Sequence, residues 1–441
     1  MGISSSLNAS VAGLNVNTSK LSAISDNIAN SGTNGYKRAT VDFSSVVINQ
    51  SSGSFDAGGV RATSGREVDE RGALITSSNS TDIAIAGRGL LPVTPVTRRD
   101  DDPNIRPLQM VSTGSFTPDE DGFLTTASGL QLLGWPTDAS GAVAGVIRGS
   151  GASLEPVQIS GFDFASNPTQ NINLGLNLPV DATDAGATTG AFDTGIEYFD
   201  ELGRSQQLTL TFTPDTTGPG TSNTWQLTIT DSATPAGPVG AWDITFHATG
   251  ANSGYIDSIA ATTPAPAGLV AGTAYNATTG LMTVPVAGVD ITMNVGPEDA
   301  IGPLTQFASA FAPLGVTKDG TPVGGLNRVE VNADGYIEAI YDTGFRQTIY
   351  QIPVVDVPNP NGLNAVDNQA FEVSPASGPI YLWDAGTGPV GEMLGFALEQ
   401  SATDIAKELT TLIETQRAYS SNATVVRTVD EMLQETTNLK R

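Results

Sequence analysis

The sequence contains no cysteine among its 441 residues and only one histidine, His247. Disulfides, thiolate metal sites and a cysteine nucleophile are therefore excluded, and so is any metal site built from several histidines. Aromatic residues make up 6% of the chain and charged residues 15%, whereas ordinary globular proteins have about 25% charged residues. Because Gly, Pro and small polar residues take their place, the composition is typical of an extracellular β-rich protein rather than of a cytosolic enzyme.

The chain is short of positive charge, with 20 Lys and Arg against 46 Asp and Glu and a net charge of -26. Such a surface repels nucleic acid and anionic lipid, so we expect no nucleic-acid partner. No run of about 18 apolar residues is present, so we expect no membrane insertion. The opening residues, 1–6, lack a basic region followed by an apolar stretch, which predicts that the chain carries no cleaved signal peptide.

Motifs that would carry chemistry are weak. Gly87 and Gly89 follow strand-like residues but lack the third glycine of a dinucleotide-binding loop. The acidic clusters 100–102 and 119–122 lack the alternating spacing and distal Glu of a calcium-binding EF-hand, so they are interpreted as a solvated loop and a hairpin turn. His247 ends an alternating strand and is expected at the surface. We therefore predict a protein that is not an enzyme, with no catalytic residue, cofactor or metal site.

The two ends of the chain share a heptad pattern, in which seam positions recur in steps of three and four residues. The N-terminal seam consists of Ile3, Leu7, Ser10, Leu14, Asn17, Leu21, Ile24 and Ile28. The C-terminal seam consists of Ile405, Leu409, Leu412, Gln416, Tyr419, Ala423, Val426, Asp430 and Leu433. The spacing predicts one helix that ends at 31–35 and a second that follows a capping box at Ser401 and Asp404.

Because both seams are narrow and almost uncharged, we predict that the two helices pair as a coiled coil and then associate with copies from other subunits. The alternative is that they are two helices of an ordinary bundle and stabilise only the monomer.

Between the ends, the apolar period changes from seven residues to two, which predicts short strands. The segments 207–213 and 225–230 alternate apolar with polar residues, and the Gly- and Thr-rich segment 214–224 predicts a hairpin between them. The segments 241–247 and 281–295 repeat the pattern. The sequence therefore predicts an α+β multidomain fold, with paired terminal coiled-coil helices and nested all-β domains in the middle.

We predict four domains from these changes in pattern. They are a terminal helical coiled-coil domain of residues 1–34 plus 396–441, an extended connector of 35–75, a β domain of 76–150 plus 318–395, and an inserted outer β domain of 151–317. Nesting of this kind brings both termini to one end of the molecule.

The ends of the chain also carry a resemblance to a known family. Residues 25–31 with Gly35, Tyr36 and Lys37 resemble the N-terminal motif of the bacterial flagellar rod and hook axial proteins, and residues 412–423 resemble their C-terminal motif. The positions that match these motifs are Asp26, Asn27, Asn30, Gly35, Tyr36, Gln416, Arg417 and Asn422. The inner stretches 83–89 and 359–363 are similar to a strand and turn and to an Asn-Pro-x-Gly-Leu turn of the same family.

Rod members of the family are short, so a chain of 441 residues with a large insert resembles the hook subunit. The resemblance implies a structural subunit that self-assembles into a curved, flexible tube and transmits torque from rod to filament, with the two seams lining an inner tube. The implied partners are many copies of itself in a helical homopolymer, the distal rod protein, the hook–filament junction protein, the hook cap, the hook-length ruler and the flagellar type III export apparatus.

The resemblance also implies an extracellular location, reached through that export apparatus without cleavage of a signal peptide. Phe43 and Val47 match the Phe-x-x-x-apolar export motif of this class, and a plain strand is the alternative interpretation of that segment. Two further functions stay open within the family, namely a distal rod subunit and a hook–filament junction subunit. A secreted β-rich adhesin or surface-layer protein, and a secreted hydrolase that uses scattered carboxylates, are alternatives from other classes.

Overall fold

The structure of the chain, a computed structural model, describes residues 3–46, 58–138, 140–143, 145–234, 237–269, 274–286 and 289–439. Its fold is mostly β-sheet, with one long helix near each end of the chain. The chain divides into two compact units: the first is Met1–Phe162, Arg328–Ile340 and Arg346–Arg441, and the second is Asp163–Asn327 and Tyr341–Phe345. Since the second unit interrupts the first, both terminal helices belong to the first unit.

The first unit begins with a helix and ten strands. In chain order these are α1 (Ile3–Ala29), β1 (Ala39–Ser45), β2 (Val60–Arg66), β3 (Leu74–Thr76), β4 (Asp82–Ala86), β5 (Leu91–Pro95), β6 (Gln109–Val111), β7 (Thr113–Pro118), β8 (Leu124–Thr126), β9 (Leu130–Pro136) and β10 (Glu155–Pro156). Strands β5 to β9 pair antiparallel with one another, and β4 joins them through β7.

In its described residues, the second unit consists of strands and one short 3-10 turn at Val180–Thr183. Its strands are β11 (Phe164–Asn167), β12 (Asn171–Pro179), β13 (Phe192–Phe199), β14 (Ser205–Pro214), β15 (Thr224–Asp231), β16 (Pro238–Phe246), β17 (Ile256–Ala261), β18 (Ala274–Asn276), β19 (Leu281–Val286), β20 (Val289–Asn294), β21 (Leu304–Phe307), β22 (Ala312–Lys318) and β23 (Thr321–Val331), the last of which runs back into the first unit.

Two sheets form the second unit. Strands β13 to β17 make a five-stranded antiparallel sheet in chain order, and β12 is central to a six-stranded sheet in which it runs parallel to β20 and β21. Alternate residues of both sheets point into one buried core, which includes Leu174, Leu210, Trp225 and Met293. This alternation is the pattern expected of strands that are buried on one face.

The chain then returns to the first unit and ends in the second long helix. The elements are β24 (Tyr336–Tyr341), β25 (Arg346–Gln351), β26 (Val354–Asp356), β27 (Asn364–Ala365), β28 (Phe371–Glu372), β29 (Tyr381–Trp383), β30 (Glu392–Gly395), β31 (Ala397–Glu399) and α2 (Ile405–Leu439). Their core packs around Met110, Trp135, Val355 and Phe371. Within the described part of the chain, neither helix has an apolar stretch long enough to cross a membrane.

The strand pairing of the second unit agrees with one strand prediction and differs from another. β14 and β15 pair antiparallel from Leu208↔Asp231 to Pro214↔Trp225, which confirms the hairpin predicted around 214–224. The segment 281–295, by contrast, holds two strands, β19 and β20, that pair with each other. The alternation changes phase between the two strands, since β19 buries Met282, Val284 and Val286 and β20 buries Ile291 and Met293.

Two local predictions about the first unit are wrong. The segment 35–75 is expected as an extended connector, but β1 and β2 within it form a ladder of seven residue pairs from Ala39↔Arg66 to Ser45↔Val60. The ladder is inconspicuous in sequence because its strands are rich in Ser, Thr and Ala. The C-terminal helix is capped by Asp404, whose Oδ1 accepts the backbone N–H groups of Ala406 and Lys407 at 2.9 and 3.3 Å, rather than by Ser401.

Candidate self-assembly interface

The two long helices pack against each other, and each has buried residues that lie seven or fourteen positions apart. On α1 the buried stripe contains Ser10, Asn17 and Ile24, and on α2 it contains Glu408, Thr415 and Val429. Two of the polar side chains form hydrogen bonds within their own helix: Asn17 Nδ2 donates to Gly13 O at 2.8 Å, and Thr415 Oγ1 donates to Thr411 O at 2.7 Å.

Gly13 of α1 lies directly against Asn422 of α2. A Cβ atom built at this position would lie 2.9 Å from Asn422 Nδ2 and 3.2 Å from Asn422 Cγ. Gly13 therefore leaves room for the Asn422 side chain, one of the positions that match the family motif, between the two helix backbones.

The predicted C-terminal seam lies one residue beyond the stripe that contacts α1. Leu409 follows the buried Glu408, and Gln416 follows the buried Thr415. Because one residue turns the helix by about 100°, most of the seam faces away from the helix contact. Ile405, Leu409 and Tyr419 are 48%, 47% and 40% exposed, Ala423 and Leu433 are exposed as well, and Leu412 and Val426 are half-buried.

The N-terminal seam is better covered. Ile24 is buried, whereas Leu7, Leu14, Leu21 and Ile28 are half-buried. Ile3 lies in the first turn of α1, and its side chain lies outside the described set. The two helices thus contact each other and leave a row of apolar side chains on α2 open to solvent.

Several positions that match the N-terminal motif form one hydrogen-bonded network at the end of α1. The Asn27 side chain bonds both backbone groups of Ala39, accepting from its N–H at 2.8 Å and donating to its O at 2.9 Å. Tyr36 Oη donates toward Asp26 Oδ2 at 2.8 Å and Asn27 Oδ1 at 3.0 Å. Burial and then the hydrogen bond to Asp26 raise the pKa of Tyr36 to about 12.

The network also holds the turn that follows the helix. Asn30 Nδ2 donates back to Asp26 O at 2.9 Å, and Gly35 has a φ of 72°, a conformation that favours glycine. Arg66 of β2 stacks over the Tyr36 ring, with its guanidinium carbon 4.9 Å from the ring centroid. The motif residues therefore fix the direction in which the chain leaves α1 and enters β1.

A buried ion pair joins the two ends of the chain just beyond this network. Lys37 Nζ lies 2.7 Å from Glu399 Oε1, and both side chains are about 1% exposed or less. Lys37 also donates to Glu70 O at 2.6 Å, and the Gly72 N–H donates to Glu399 Oε1 at 2.8 Å. Burial lowers the pKa of Lys37, although the charge of Glu399 opposes that change.

A second ion pair ties α2 to the same segment. Arg38 Nε lies 2.5 Å from the fully buried Glu408 Oε1, and Arg38 Nη1 lies 3.1 Å from Glu67 Oε2. Burial disfavours the charge of Arg38, but hydrogen bonds to Glu408 and Glu67 outweigh it and raise its pKa. The first turn of α2 is thereby fixed to the strand that follows α1.

Local sequence motifs do not identify these charged residues as one group. Lys37 stands in the matched N-terminal motif, but Glu399 is 362 residues away, so no local spacing connects the two. One signal was available: Lys37 and Arg38 are adjacent cations in a segment that otherwise holds few charges.

The remaining matched positions lie apart from the network. Gln416 and Arg417 are exposed on α2, and Asn422 is half-buried beside Gly13. Of the predicted export motif, Phe43 lies in β1 with its ring 5.3 Å from Lys20 Nζ and is 46% exposed. Val47 lies outside the described residues.

Comparison with known families covers both the helical end and the second unit. Residues 395–439 match the family model described as flagellar basal body rod FlgEFG protein C-terminal. Residues 171–321 match the model described as flagellar basal body protein FlaE D2 domain.

Curated relatives match over the whole chain. The flagellar hook protein FlgE of Rhizobium meliloti is 29% identical over 448 residues, which is 100% of each chain. The flagellar hook protein FlgE of Escherichia coli is 26% identical over 448 residues, covering 98% of each. Among solved structures, the crystal structure of Helicobacter pylori flagellar hook protein FlgE2 matches 72% of this chain and 98% of its own, with 12% identity and a TM-score of 0.44.

The two matched models both describe one class of proteins, those of the flagellar basal body. Within that class, the relatives that match from end to end carry one description. Over its whole length the chain is similar to flagellar hook proteins.

Proposed function

We propose that this chain is the structural subunit of the flagellar hook and polymerises into a curved, flexible tube that transmits torque from rod to filament. The observation that carries the proposal is the match with flagellar hook proteins over the full length of the chain. Both helical ends and the inserted β region lie within that match, as a subunit that uses all of its parts in assembly requires.

The exposed apolar row on α2 is the proposed contact between copies. Ile405, Leu409 and Ile413 are each about half exposed although they lie on one helix face. Covering a leucine or isoleucine side chain contributes roughly 1.5–3 kcal/mol, and each copy repeats the contact along the polymer. In this arrangement α1 and α2 form a coiled coil that lines the inner tube, and the predicted seam residues contact neighbouring subunits.

The domain division follows from the same proposal. Residues 1–34 plus 396–441 serve as the inner tube, 76–150 plus 318–395 as a surrounding β domain, and 151–317 as an outer domain. The largest aromatic residues of the outer domain, such as Phe212, Trp225 and Trp242, are buried in its own core, whereas large aromatic anchors on a surface are what lock protein interfaces. Its contacts with neighbouring copies are therefore suited to sliding as the tube bends.

The specific partners and the export route complete the proposal. A hook subunit in this role contacts the distal rod protein, the hook–filament junction protein, the hook cap and the hook-length ruler. It leaves the cell through the flagellar type III export apparatus with its N-terminus intact, and the exposed Phe43 offers that apparatus an aromatic side chain.

A charge placed in the exposed row tests the assembly contact. In Leu409→Asp, polymers grown from purified chain at high salt should be lost, because each copy would bury a carboxylate at the interface at a cost of several kcal/mol. The matched control is Thr410→Asp, since Thr410 is also exposed on α2 and lies about 100° around the helix. Electron microscopy and sedimentation measure the amount of polymer.

The two variants separate the possible outcomes. Loss of polymer in Leu409→Asp alone supports the exposed row as the contact. Polymer from Leu409→Asp in wild-type amount would show that this face of α2 does not contact other copies. Far-UV circular dichroism of both variants establishes that the helices are still formed.

A further inference from the structure

The single histidine of the chain lies between two carboxylates on the second unit. His247 Nε2 is 2.7 Å from Asp299 Oδ1, and His247 Nδ1 is 3.4 Å from Asp257 Oδ1. The imidazole is 24% exposed, whereas Asp257 and Asp299 are more open to solvent. One ring nitrogen of His247 and one oxygen of each carboxylate lie within 4.8 Å of one another.

The backbone holds the first of these carboxylates in place through an irregularity in the sheet. His247 follows β16, and its N–H donates to Tyr255 O at 3.0 Å. In the β16–β17 pair, Thr245 faces Ser258 and Phe246 faces Ile256, which leaves Asp257 as an extra residue. Such a bulge redirects a side chain, and here it lets Asp257 project on the solvent side, where the imidazole lies, rather than into the core.

The second carboxylate is held from two directions. The Asp299 N–H donates to Ile256 O at 2.9 Å, and its own carbonyl accepts from Asn252 Nδ2 at 2.7 Å. Asp299 has a φ of 57°, which non-glycine residues adopt rarely. The loop therefore fixes Asp299 against the ring edge.

The two contacts of the imidazole differ in chemistry. A separation of 2.7 Å at Nε2 is a hydrogen bond, with Nε2–H donating to Asp299. In the neutral ring this leaves a lone pair on Nδ1, which faces an oxygen of Asp257 that can only accept. The Nδ1–Oδ1 separation of 3.4 Å is longer than an ordinary hydrogen bond, but it equals the spacing of two ligands on one tetrahedral ion with bonds of about 2.1 Å.

We propose that His247 Nδ1 and Asp257 bind a borderline divalent cation such as Zn²⁺, with Asp299 as the carboxylate that orients the imidazole. The arrangement is that of a metal-bound histidine whose other nitrogen donates to a carboxylate, which fixes the tautomer and raises the basicity of the ligand nitrogen. Imidazole and carboxylate are ligands that zinc accepts. The sequence alone did not indicate the site, because its residues are separated by turns and one of them is a bulge.

The test uses the one histidine as its own reporter. The full-length chain, without a tag and labelled with ¹³C-histidine, gives a single set of imidazole resonances. Titration with Zn²⁺ should shift these resonances to a saturable end point. Asp257→Asn and Asp299→Asn should each weaken the apparent affinity about tenfold or more. Asp193→Asn, which removes an exposed carboxylate from the opposite edge strand β13 of the same sheet, should leave it unchanged.

Two results would overturn the proposal. One is imidazole resonances that respond to pH but not to millimolar Zn²⁺, which would make the ring an imidazolium between two carboxylates. The other is an equal zinc response in Asp257→Asn and the wild type, which would place the metal elsewhere. Both variants alter exposed side chains, so their folding can be verified by circular dichroism before the titration.

Discussion

At the residue scale, the feature with the largest expected effect is the buried pair of Lys37 and Glu399. In Lys37→Met most of the side-chain volume is kept, but the buried Glu399 loses its nearer cation and keeps only Arg71, whose Nη1 lies 3.5 Å from Glu399 Oε2. Breaking a buried pair in this way costs about 3–5 kcal/mol, so the free energy of unfolding of the first unit should fall by that amount. Urea unfolding followed by circular dichroism measures the change.

Two further variants show whether charge burial is the cause. Lys407→Met removes an exposed cation from α2 and should change stability by less than about 0.5 kcal/mol. Glu399→Gln in the Lys37→Met background removes the buried carboxylate that has lost its nearer cation while keeping an acceptor for the Gly72 N–H, so it should recover part of the loss. A Lys37→Met protein as stable as the wild type would mean that the pair is not buried in solution.

At the element scale, the pairing of α1 with α2 can be tested by introducing two cysteines. The test is simple because the natural chain contains no cysteine. A Cβ at Gly13 would lie 3.2 Å from Asn422 Cγ, which places the two Cβ positions close to the separation that a disulfide requires. Gly13→Cys with Asn422→Cys should therefore form an intramolecular disulfide under mild oxidation. The shift in electrophoretic mobility without reductant, and its loss with reductant, measures the yield.

The matched control moves one cysteine by a single residue. Ser421 is exposed, and its side chain lies about 100° around α2 from Asn422, so Gly13→Cys with Ser421→Cys should give little intramolecular crosslink. Equal yields in the two double variants would contradict a fixed register between the helices.

The same elements show what could be predicted from sequence and what could not. Both helices were predictable from periodicity, and the β14–β15 hairpin was predictable from alternation of apolar and polar residues. The face of α2 that contacts α1 was not, because its buried members include Glu408 and Thr415. Hydrophobic periodicity marks apolar positions, and here the apolar row and the intramolecular contact are different stripes of one helix.

The charged residues of the candidate site could not be predicted from local sequence either. Lys37 and Glu399 meet only because β31 returns next to the segment that follows α1, where the Gly35 N–H donates to Glu399 O at 2.8 Å. Contacts of this kind depend on the tertiary fold, so they cannot be predicted from the spacing of residues along the chain. The motif match identified Tyr36 and Asn27 but gave no account of the hydrogen bonds they make.

At the scale of the whole molecule, the second unit is an insertion whose core is its own. Its buried cluster lies entirely between Ile172 and Leu304. The chain enters and leaves the unit side by side, since the Leu326 N–H donates to Asp163 O at 2.8 Å and Phe164 faces Gly325. A two-residue Asn-Gly turn can close an antiparallel pair of this kind, so residues 164–325 can be replaced by such a turn.

This deletion separates the proposed roles of the two units. The first unit keeps its own core and both helices, so the shortened chain should still polymerise into tubes. Its tubes should differ in curvature or stiffness from those of the full chain, because the proposed sliding contacts of the outer region are gone. Electron microscopy of polymers grown side by side measures both quantities. Tubes of unchanged curvature would rule out the outer contacts as the origin of bending, and a failure to polymerise would assign part of the assembly contact to the second unit.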